Sequence, residues 1–344
     1  MNATHTSNAS GRPRKGSRFS TLIPVILALA GITVLLYPVV ATQLNNARQQ
    51  YIAYKYSKTE KQLDPKGVRD QLAAADEYNR HGPTSPILDP WLARVAKDNN
   101  PYQRYLGQLN LTEAMGRLVI PAAKVDLPIY HGTSMKTLEK GIGHLYGSSL
   151  PVGGKSTHAV LTGHTGLSTA SLLDHLTDIK HGDPIYIQVA GRKLKYKVFD
   201  IKVVKPDQVS SLKVQKGRDL VTVITCTPYG INSHRLLITG ERVPMDKTPV
   251  FDHRTPLAWS WWMIAIIAVA ALALGALGWW LYFLWKHHTK DENNKSGIDA
   301  PGDVSTQPDL GSRQSRQYPP PPPSNYETNQ TIPPNSSPSY RRNQ

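Results

Sequence analysis

Two long uncharged apolar runs stand out in the pattern of hydrophobic and polar positions, at residues 20–42 and 257–285. About twenty apolar residues are enough for a helix to cross a bilayer, so each run predicts a transmembrane helix. For the first run the alternative is a cleaved signal peptide, because Val39-Val40-Ala41 loosely resembles a cleavage site. The second run favours a retained anchor, and the chain then crosses the membrane twice.

The residues that flank these runs predict the topology. Residues 1–19 are basic and contain no acidic residue, and Lys286 follows the second run, whose two ends are rich in Trp and Tyr. Lys and Arg favour the cytoplasmic side of membrane helices, and Trp and Tyr favour the interfaces. We therefore expect both termini in the cytoplasm and the middle of the chain outside a Gram-positive-type cell membrane. The tail, residues 286–344, is Pro-rich and predicted to be disordered; its polyproline stretch either binds a cytoplasmic partner or is simply solvated.

Between the spans, residues 43–105 predict a helical stalk that passes into an irregular segment. Apolar residues recur near helical spacing as far as residue 82, and Asp64-Pro65 is typical of a helix start. Several prolines then interrupt residues 82–91, which predicts a stiff, irregular connection to the next domain.

The segment from 106 to 243 predicts a mostly β domain. Its short apolar runs are separated by turn residues, with little helix, which is typical of a closed or nearly closed barrel. Two short helices are predicted at 134–140 and 168–176. Eight strands are predicted at residues 116–120, 125–130, 159–163, 184–189, 193–199, 201–204, 220–226 and 235–240.

Candidate chemistry lies at the end of the strand at 220–226. That strand ends on Cys226, the single cysteine of the chain, and Arg235 begins the next strand. A strand–loop–strand hairpin of this length places the two side chains close together. The thiol needs a base or counter-ion, because a free thiol is mostly protonated at neutral pH. The best candidate is His164, which follows another predicted strand and is flanked by glycines. The three form a plausible acyl-transfer set of nucleophile, proton carrier and oxyanion donor.

These motifs resemble those of the sortase family. The sequence TVITC, which ends at Cys226, is similar to the sortase signature TLxTC, LTGHTG resembles the sortase histidine motif around His164, and Arg235 falls where the sortase arginine does. The stretch CTPYGINSHRLLITGER looks most similar to class C, pilus-assembling sortases. The resemblance covers residues 88–242 and implies an eight-stranded sortase barrel. Two departures are Val223 in place of the usual Leu and Thr165 after the histidine.

The resemblance also implies a reaction. A class C sortase is a membrane-anchored cysteine transpeptidase that cleaves an LPXTG-like sorting signal between Thr and Gly. By that likeness Cys226 forms the thioester, His164 carries the proton, and Arg235 steadies the substrate or the oxyanion. A lysine amine of the next pilin then resolves the thioester, which polymerises pilus subunits.

The tripeptide Asp89-Pro90-Trp91 is similar to the lid motif of class C sortases. In that interpretation Asp89 pairs with Arg235 and Trp91 packs over the active site until substrate arrives. The alternative is that Asp89-Pro90 merely caps a helix at 91–97.

Composition adds constraints on partners. The net charge is +15, and most of it lies on the predicted extracellular part, which suits anionic cell-wall polymers or lipid head groups; a solvated basic surface without a specific partner is an equal alternative. The charge is scattered, so nucleic acid is not expected. One cysteine cannot form an intramolecular disulfide. The sequence lacks zinc-ligand spacing, so no metal or cofactor is expected, although a calcium site built from scattered acids stays open.

Two other functions remain as alternatives. One is a housekeeping sortase that joins proteins to peptidoglycan, which the lid-like segment and the second span argue against. The other is a non-catalytic binding barrel at the cell wall, which the co-occurrence of Cys226, His164 and Arg235 argues against.

Overall fold

The computed structural model describes residues 19–82, 89 and 100–295, with side chains from 21 to 287. The predicted N-terminal segment as far as residue 18, the lid residue Trp91 and the tail beyond 295 lie outside the described residues. The chain divides into two units, Met1–Trp285 and Lys286–Gln344. The described residues of the second unit are helical.

Five α-helices are described: α1 Phe19–Glu60, α2 Pro65–His81, α3 Asn100–Leu106, α4 Met135–Lys140 and α5 Trp261–Lys295. Helix α1 continues without a break past residue 42, because the polar residues that follow the apolar run are compatible with helix and no cap interrupts them. The apolar span and the first part of the stalk are therefore one helix. The predicted start of α2 is confirmed, since the Asp64 carboxylate accepts hydrogen bonds from the backbone N–H groups of Lys66 and Gly67.

The apolar parts of α1 and α5 face away from the protein. Both helices are long and apolar enough to cross a membrane, and 6% of the most apolar window of each is buried in the protein. These two helices, which precede and follow the barrel domain in the sequence, suggest membrane anchoring.

Eight strands close into a barrel, as predicted. They are β1 Gly116–Ile120, β2 Val125–His131, β3 Ile142–His144, β4 Thr157–Thr162, β5 Pro184–Val189, β6 Arg192–Val204, β7 Asp219–Thr227 and β8 His234–Val243. The order around the barrel is β1-β2-β3-β4-β7-β8-β6-β5. Strand β7, which carries Cys226, therefore lies between β4 and β8.

Two strand predictions were wrong in detail. The strands predicted at 193–199 and 201–204 are one strand, β6, whose register against β8 shifts between Val198 and Asp200. This local irregularity breaks the alternation of apolar and polar residues, so one bent strand resembles two. Strand β3 was missed because three residues are too few to display a strand period.

The predicted helix at 134–140 is confirmed as α4, and Ser134 caps it by accepting a hydrogen bond from the Thr137 N–H. The helix predicted at 168–176 is wrong. A bridge pairs Leu167 with Ala170, and a 3-10 helix follows only at Asp174–Asp178. The backbone cannot be α-helical at Leu172, where φ is 32°.

The barrel interior is filled by apolar side chains from most of its strands, among them Leu118, Ile129, Leu161, Val221 and Ile238, all fully buried. These positions alternate with outward-facing residues along the strands. The packed interior leaves the strand ends as the place where reactive side chains meet solvent.

A buried ion pair fastens the segments before and after the barrel to its wall. The Arg117 guanidinium donates to both Asp126 carboxylate oxygens at 2.8 Å, and both side chains are fully buried. Arg117 also donates to Ser57 Oγ of α1 and to the carbonyl oxygens of Phe251 and His253. One guanidinium thus joins α1, the barrel and the segment that leads to α5.

Candidate active site

Cys226 and Arg235 are direct neighbours across two strands. In the antiparallel pairing of β7 with β8, Cys226 lies opposite Arg235 and Thr227 lies opposite His234. Cys226 is 7% exposed and Arg235 is 8% exposed. The hairpin predicted from the sequence therefore brings the thiol and the guanidinium together.

His164 approaches Cys226 from the other neighbouring strand. The parallel pairing of β4 with β7 ends at Thr162 opposite Ile224. His164 lies two residues after Thr162, and Cys226 lies two residues after Ile224. The two residues are therefore at the same height along these neighbouring strands. The backbone stays connected beyond the strand end, because the Gly163 N–H donates to the Ile224 carbonyl at 3.2 Å. Cys226 is thus bracketed by the histidine segment on one side and Arg235 on the other.

Close packing fixes the backbone in front of His164. A Cβ added to Gly163 would lie 2.9 Å from Ile142 Cδ1 and 3.0 Å from Leu173 Cδ1, so any side chain there would require its neighbours to shift. The His164 carbonyl accepts a hydrogen bond from the Leu173 N–H at 3.1 Å. Thr165 Oγ1 lies 2.8 Å from Thr225 Oγ1, which ties the same segment to β7.

Helix α1 also holds the histidine segment. The Asn46 side chain donates to Ser171 Oγ at 3.1 Å and accepts from the Ser171 N–H at 3.0 Å. The Thr42 hydroxyl donates to the Ser168 carbonyl at 3.1 Å. The helix that bears the first apolar span therefore contacts the loop that carries the candidate proton carrier.

Asp89 forms a buried ion pair with Arg235. Arg235 Nε donates to Asp89 Oδ2 at 2.8 Å, and Nη2 is 3.4 Å from Oδ1. Both side chains are nearly excluded from solvent, at 10% and 3% exposure. Arg235 Nη1 donates in addition to the carbonyl oxygens of Asn232 and His234. The acidic residue of the predicted lid thus contacts the predicted arginine.

The surroundings favour neutral forms of the thiol and the imidazole. Burial raises the pKa of Cys226; the positive charge of Arg235 opposes this change, and the negative charge of Asp89 adds to it. Burial lowers the pKa of His164, against the opposing effect of Glu139. In this conformation the thiol and the imidazole are therefore both biased toward the uncharged state.

A cavity of about 510 Å³ opens beside Cys226. Its walls come from the end of β7, the 3-10 helix Asp174–Asp178 and the start of α5. Its lining includes Cys226, Tyr229, Asp174, Asp178 and Trp261. The volume lies in the range typical of small-ligand sites. Asp174 was missed in the sequence, because an isolated acid in a predicted helix carries no motif.

Other histidines of the domain have structural partners. His158 Nε2 lies 2.6 Å from Thr222 Oγ1 and its Nδ1 lies 3.1 Å from the Lys213 carbonyl. His144 is fully buried, which lowers its pKa to about 4. His234 lies one position beyond Arg235 in the pairing, opposite Thr227. Across the part of the chain that the structure describes, no group of three His, Cys, Asp or Glu residues is arranged to hold a metal ion.

Known proteins share both the sequence pattern and the barrel. The family model "Sortase domain" matches residues 118–243. Sortase C-1 from Actinomyces oris is 56% identical, with 52% of this chain and 99% of that chain covered and a TM-score of 0.51. Sortase C from Streptococcus pneumoniae is 38% identical, with 57% and 97% covered and a TM-score of 0.52. Sortase A from Bacillus anthracis is 28% identical over 171 residues, 48% of this chain and 75% of that protein.

The closed eight-stranded barrel of this chain is consistent with the fold of these sortases. The chain belongs to the sortase family. It is accordingly an enzyme of the cysteine transpeptidase type, and class C sortases are among its structural neighbours.

Proposed function

We propose that this chain is a class C sortase that polymerises pilin subunits. Cys226 attacks the Thr–Gly carbonyl of an LPXTG-like sorting signal, and the C–N bond breaks to leave a thioester. His164 takes the Cys226 thiol proton and gives it to the departing amine, and it later takes a proton from the incoming lysine amine. Arg235 donates hydrogen bonds to the carbonyl oxygen as negative charge develops there.

The observation that carries this proposal is the strand register. Cys226 lies opposite Arg235 in the β7–β8 pairing and level with His164 beyond the β4–β7 pairing. This register supports the proposal, because it brings the backbone of all three residues to one end of three adjacent strands. The pilin assignment is supported by the likeness to Sortase C of Streptococcus pneumoniae, an enzyme described for its pilin substrate specificity.

Asp89 and Trp91 form the lid in this proposal. The Asp89 carboxylate occupies the Arg235 donors that a substrate carbonyl needs, and its charge helps to keep Cys226 protonated. Substrate must displace the carboxylate before acyl transfer, so the lid acts as a gate. Trp91 follows Asp89 closely in the sequence and would cover the apolar part of the groove.

The proposed organisation follows the predicted domains. Residues 20–42 and 257–285 cross the membrane, both termini are cytoplasmic, and 43–105 form the stalk and lid of an extracellular catalytic domain at 106–243. The support is the apolar surface of α1 and α5 and the distribution of basic flanks.

A transpeptidation assay tests the function. The full-length chain in detergent is incubated with an LPXTG-type peptide and a second peptide that carries one internal lysine. Tandem mass spectrometry is expected to find an isopeptide bond between the Thr carboxyl group and the lysine Nζ, and to find none with Cys226→Ala. If a peptidoglycan-type amine is joined instead and the lysine peptide is ignored, the housekeeping alternative replaces the pilus assignment.

A further inference from the structure

Cys226 lies between a positively charged side chain on one side and a cavity with acidic residues on the other. Toward β8 it meets the Arg235 guanidinium. Away from β8 it lines the cavity of about 510 Å³. Among the described residues that line the cavity there is no lysine or arginine, and two are aspartates, Asp174 and Asp178. An acidic cavity beside the nucleophile is notable in a chain whose net charge is +15.

Asp174 is held firmly in the cavity wall. Its Oδ1 accepts a hydrogen bond from the Gly166 N–H at 2.8 Å, within the segment that also carries His164. Burial raises its pKa to about 6, against the opposing effects of the Gly166 N–H and of His175. At pH 7.5 the carboxylate form therefore predominates, and it is half-buried, where its charge is screened less than on the surface.

The other walls suit an alkyl chain with a positive end. Tyr229 lies in the loop after β7 and Trp261 begins α5, and both line the cavity. Aromatic faces pack against methylene groups and attract cations. Asp178 lies 3.2 Å from His175 Nδ1 and its side chain is 59% exposed, so solvent screens its charge more than that of the half-buried Asp174. Asp174 is therefore the better-placed carboxylate for a cation.

We propose that this cavity is the subsite for the acceptor, and that it binds the side chain of an incoming lysine with its ammonium on Asp174. The inference rests on the proposed transpeptidase function, because a transpeptidase must bind two substrates at one thiol. The carbonyl oxygen of the donor accepts hydrogen bonds, which Arg235 supplies. The ammonium of the acceptor is a cation, which the acidic cavity attracts.

In this arrangement both protons that the lysine ammonium must lose have an acceptor. The bound ammonium first loses one proton to water at the cavity mouth. The neutral nitrogen then bonds to the thioester carbonyl carbon as the C–S bond breaks. The second proton passes to His164 and from it to the departing Cys226 sulphur. The amide keeps the remaining N–H, and Asp174 is a positioning residue that touches the acceptor.

Asp174→Asn tests this proposal, because the amide oxygen still accepts the Gly166 N–H while the charge is lost. The full-length chain in detergent carries Asp89→Ala in every arm to open the site. Acylated enzyme is offered either a lysine-containing peptide or hydroxylamine, which is uncharged at pH 7.5. Asp174→Asn is expected to lower kcat/KM for the lysine peptide about tenfold, as for loss of one charge-assisted hydrogen bond, and to spare hydroxylamine. The matched control is Asp207→Asn, at an exposed turn remote in sequence from the cavity wall.

The remaining outcomes overturn the proposal. Equal rates with the lysine peptide in Asp174→Asn and Asp207→Asn exclude a charge role for the cavity. A parallel loss with both nucleophiles assigns Asp174 a structural role only. A loss confined to acylation by the LPXTG-type peptide assigns the cavity to the donor. If Cys226 is never acylated in any arm, the proposed function itself fails, which separates the two claims.

Discussion

Nε of Arg235 lies 2.8 Å from Oδ2 of Asp89, in a contact where the carboxylate is 3% exposed and the guanidinium 10%. A charge-assisted pair of this burial is costly to break on one side only, because the remaining charge loses its partner. The donors that an acyl-transfer oxyanion needs are thus engaged by a carboxylate from the chain itself.

Removing the Asp89 charge is expected to activate the thiol. The carboxylate contributes to the raised pKa of Cys226, so Asp89→Ala lowers that pKa and increases the thiolate fraction at neutral pH. Alkylation by iodoacetamide is expected to become several-fold faster at pH 7, with the midpoint of the pH–rate curve moved to lower pH. The same curve measured for Asp207→Asn is the control, and an Asp89→Ala curve that overlies the wild-type curve would count against the electrostatic coupling.

Arg235→Lys is expected to slow acylation about 100-fold, the usual cost of losing one oxyanion donor. A lysine ammonium cannot reproduce the planar fork that contacts Asp89, Asn232 and His234. The measurement is the acylation rate of an LPXTG-type peptide in the Asp89→Ala background, where the carboxylate no longer occupies the Arg235 donors. Wild-type rates in Arg235→Lys would show that any cation suffices.

Asn46→Ala is expected to slow catalysis from a distance. Asn46 makes two hydrogen bonds with Ser171, both in the loop that positions His164. Ser171→Ala is a milder comparison variant, because it removes only the hydrogen bond from Asn46 to the Ser171 hydroxyl. The hydrogen bond from the Ser171 N–H to Asn46 remains. We expect acylation to fall several-fold in Asn46→Ala and less in Ser171→Ala. A change in melting temperature with unaltered acylation would reduce this contact to a purely structural one.

Arg117→Ala is expected to destabilise the fold by about 3–5 kcal/mol, because it leaves the Asp126 carboxylate buried without its partner. The substitution also removes the hydrogen-bond donor to Ser57 Oγ of α1 and to the carbonyl oxygens that follow the barrel. Thermal unfolding of the full-length chain in detergent measures the effect. Arg218→Ala is the matched control: its pair with Glu241 is partly exposed and is expected to contribute about 0–1 kcal/mol. Equal shifts for the two variants would contradict the importance of burial.

The sequence predicted the barrel and the meeting of thiol and guanidinium because both depend on local features. Alternating apolar runs mark most strands, and a short loop joins Cys226 to Arg235 within one hairpin. His164 was predicted from its position after a strand and between glycines, but its approach to Cys226 depends on a parallel pairing of strands distant in sequence, which no local pattern shows.

Other features had no local signal. The three residues of β3 find their place only through pairing with β2 and β4. The helix predicted at 168–176 fails because Asn46, from a distant helix, binds the Ser171 N–H and the backbone at Leu172 turns to positive φ. Asp174 becomes a candidate only when the loop, the end of β7 and the start of α5 enclose a common cavity.

The most direct test of the central claim is the intact mass of the full-length chain after incubation with a synthetic LPXTG-type peptide. The chain with its natural lid is compared with an Asp89→Ala, Trp91→Ala version. We expect an adduct of the mass of the peptide up to Thr, reversible by hydroxylamine, mainly in the altered-lid version and absent when Cys226→Ala is added. No adduct in either version across several sorting-motif variants, or an adduct that persists in Cys226→Ala, would contradict acyl transfer through Cys226.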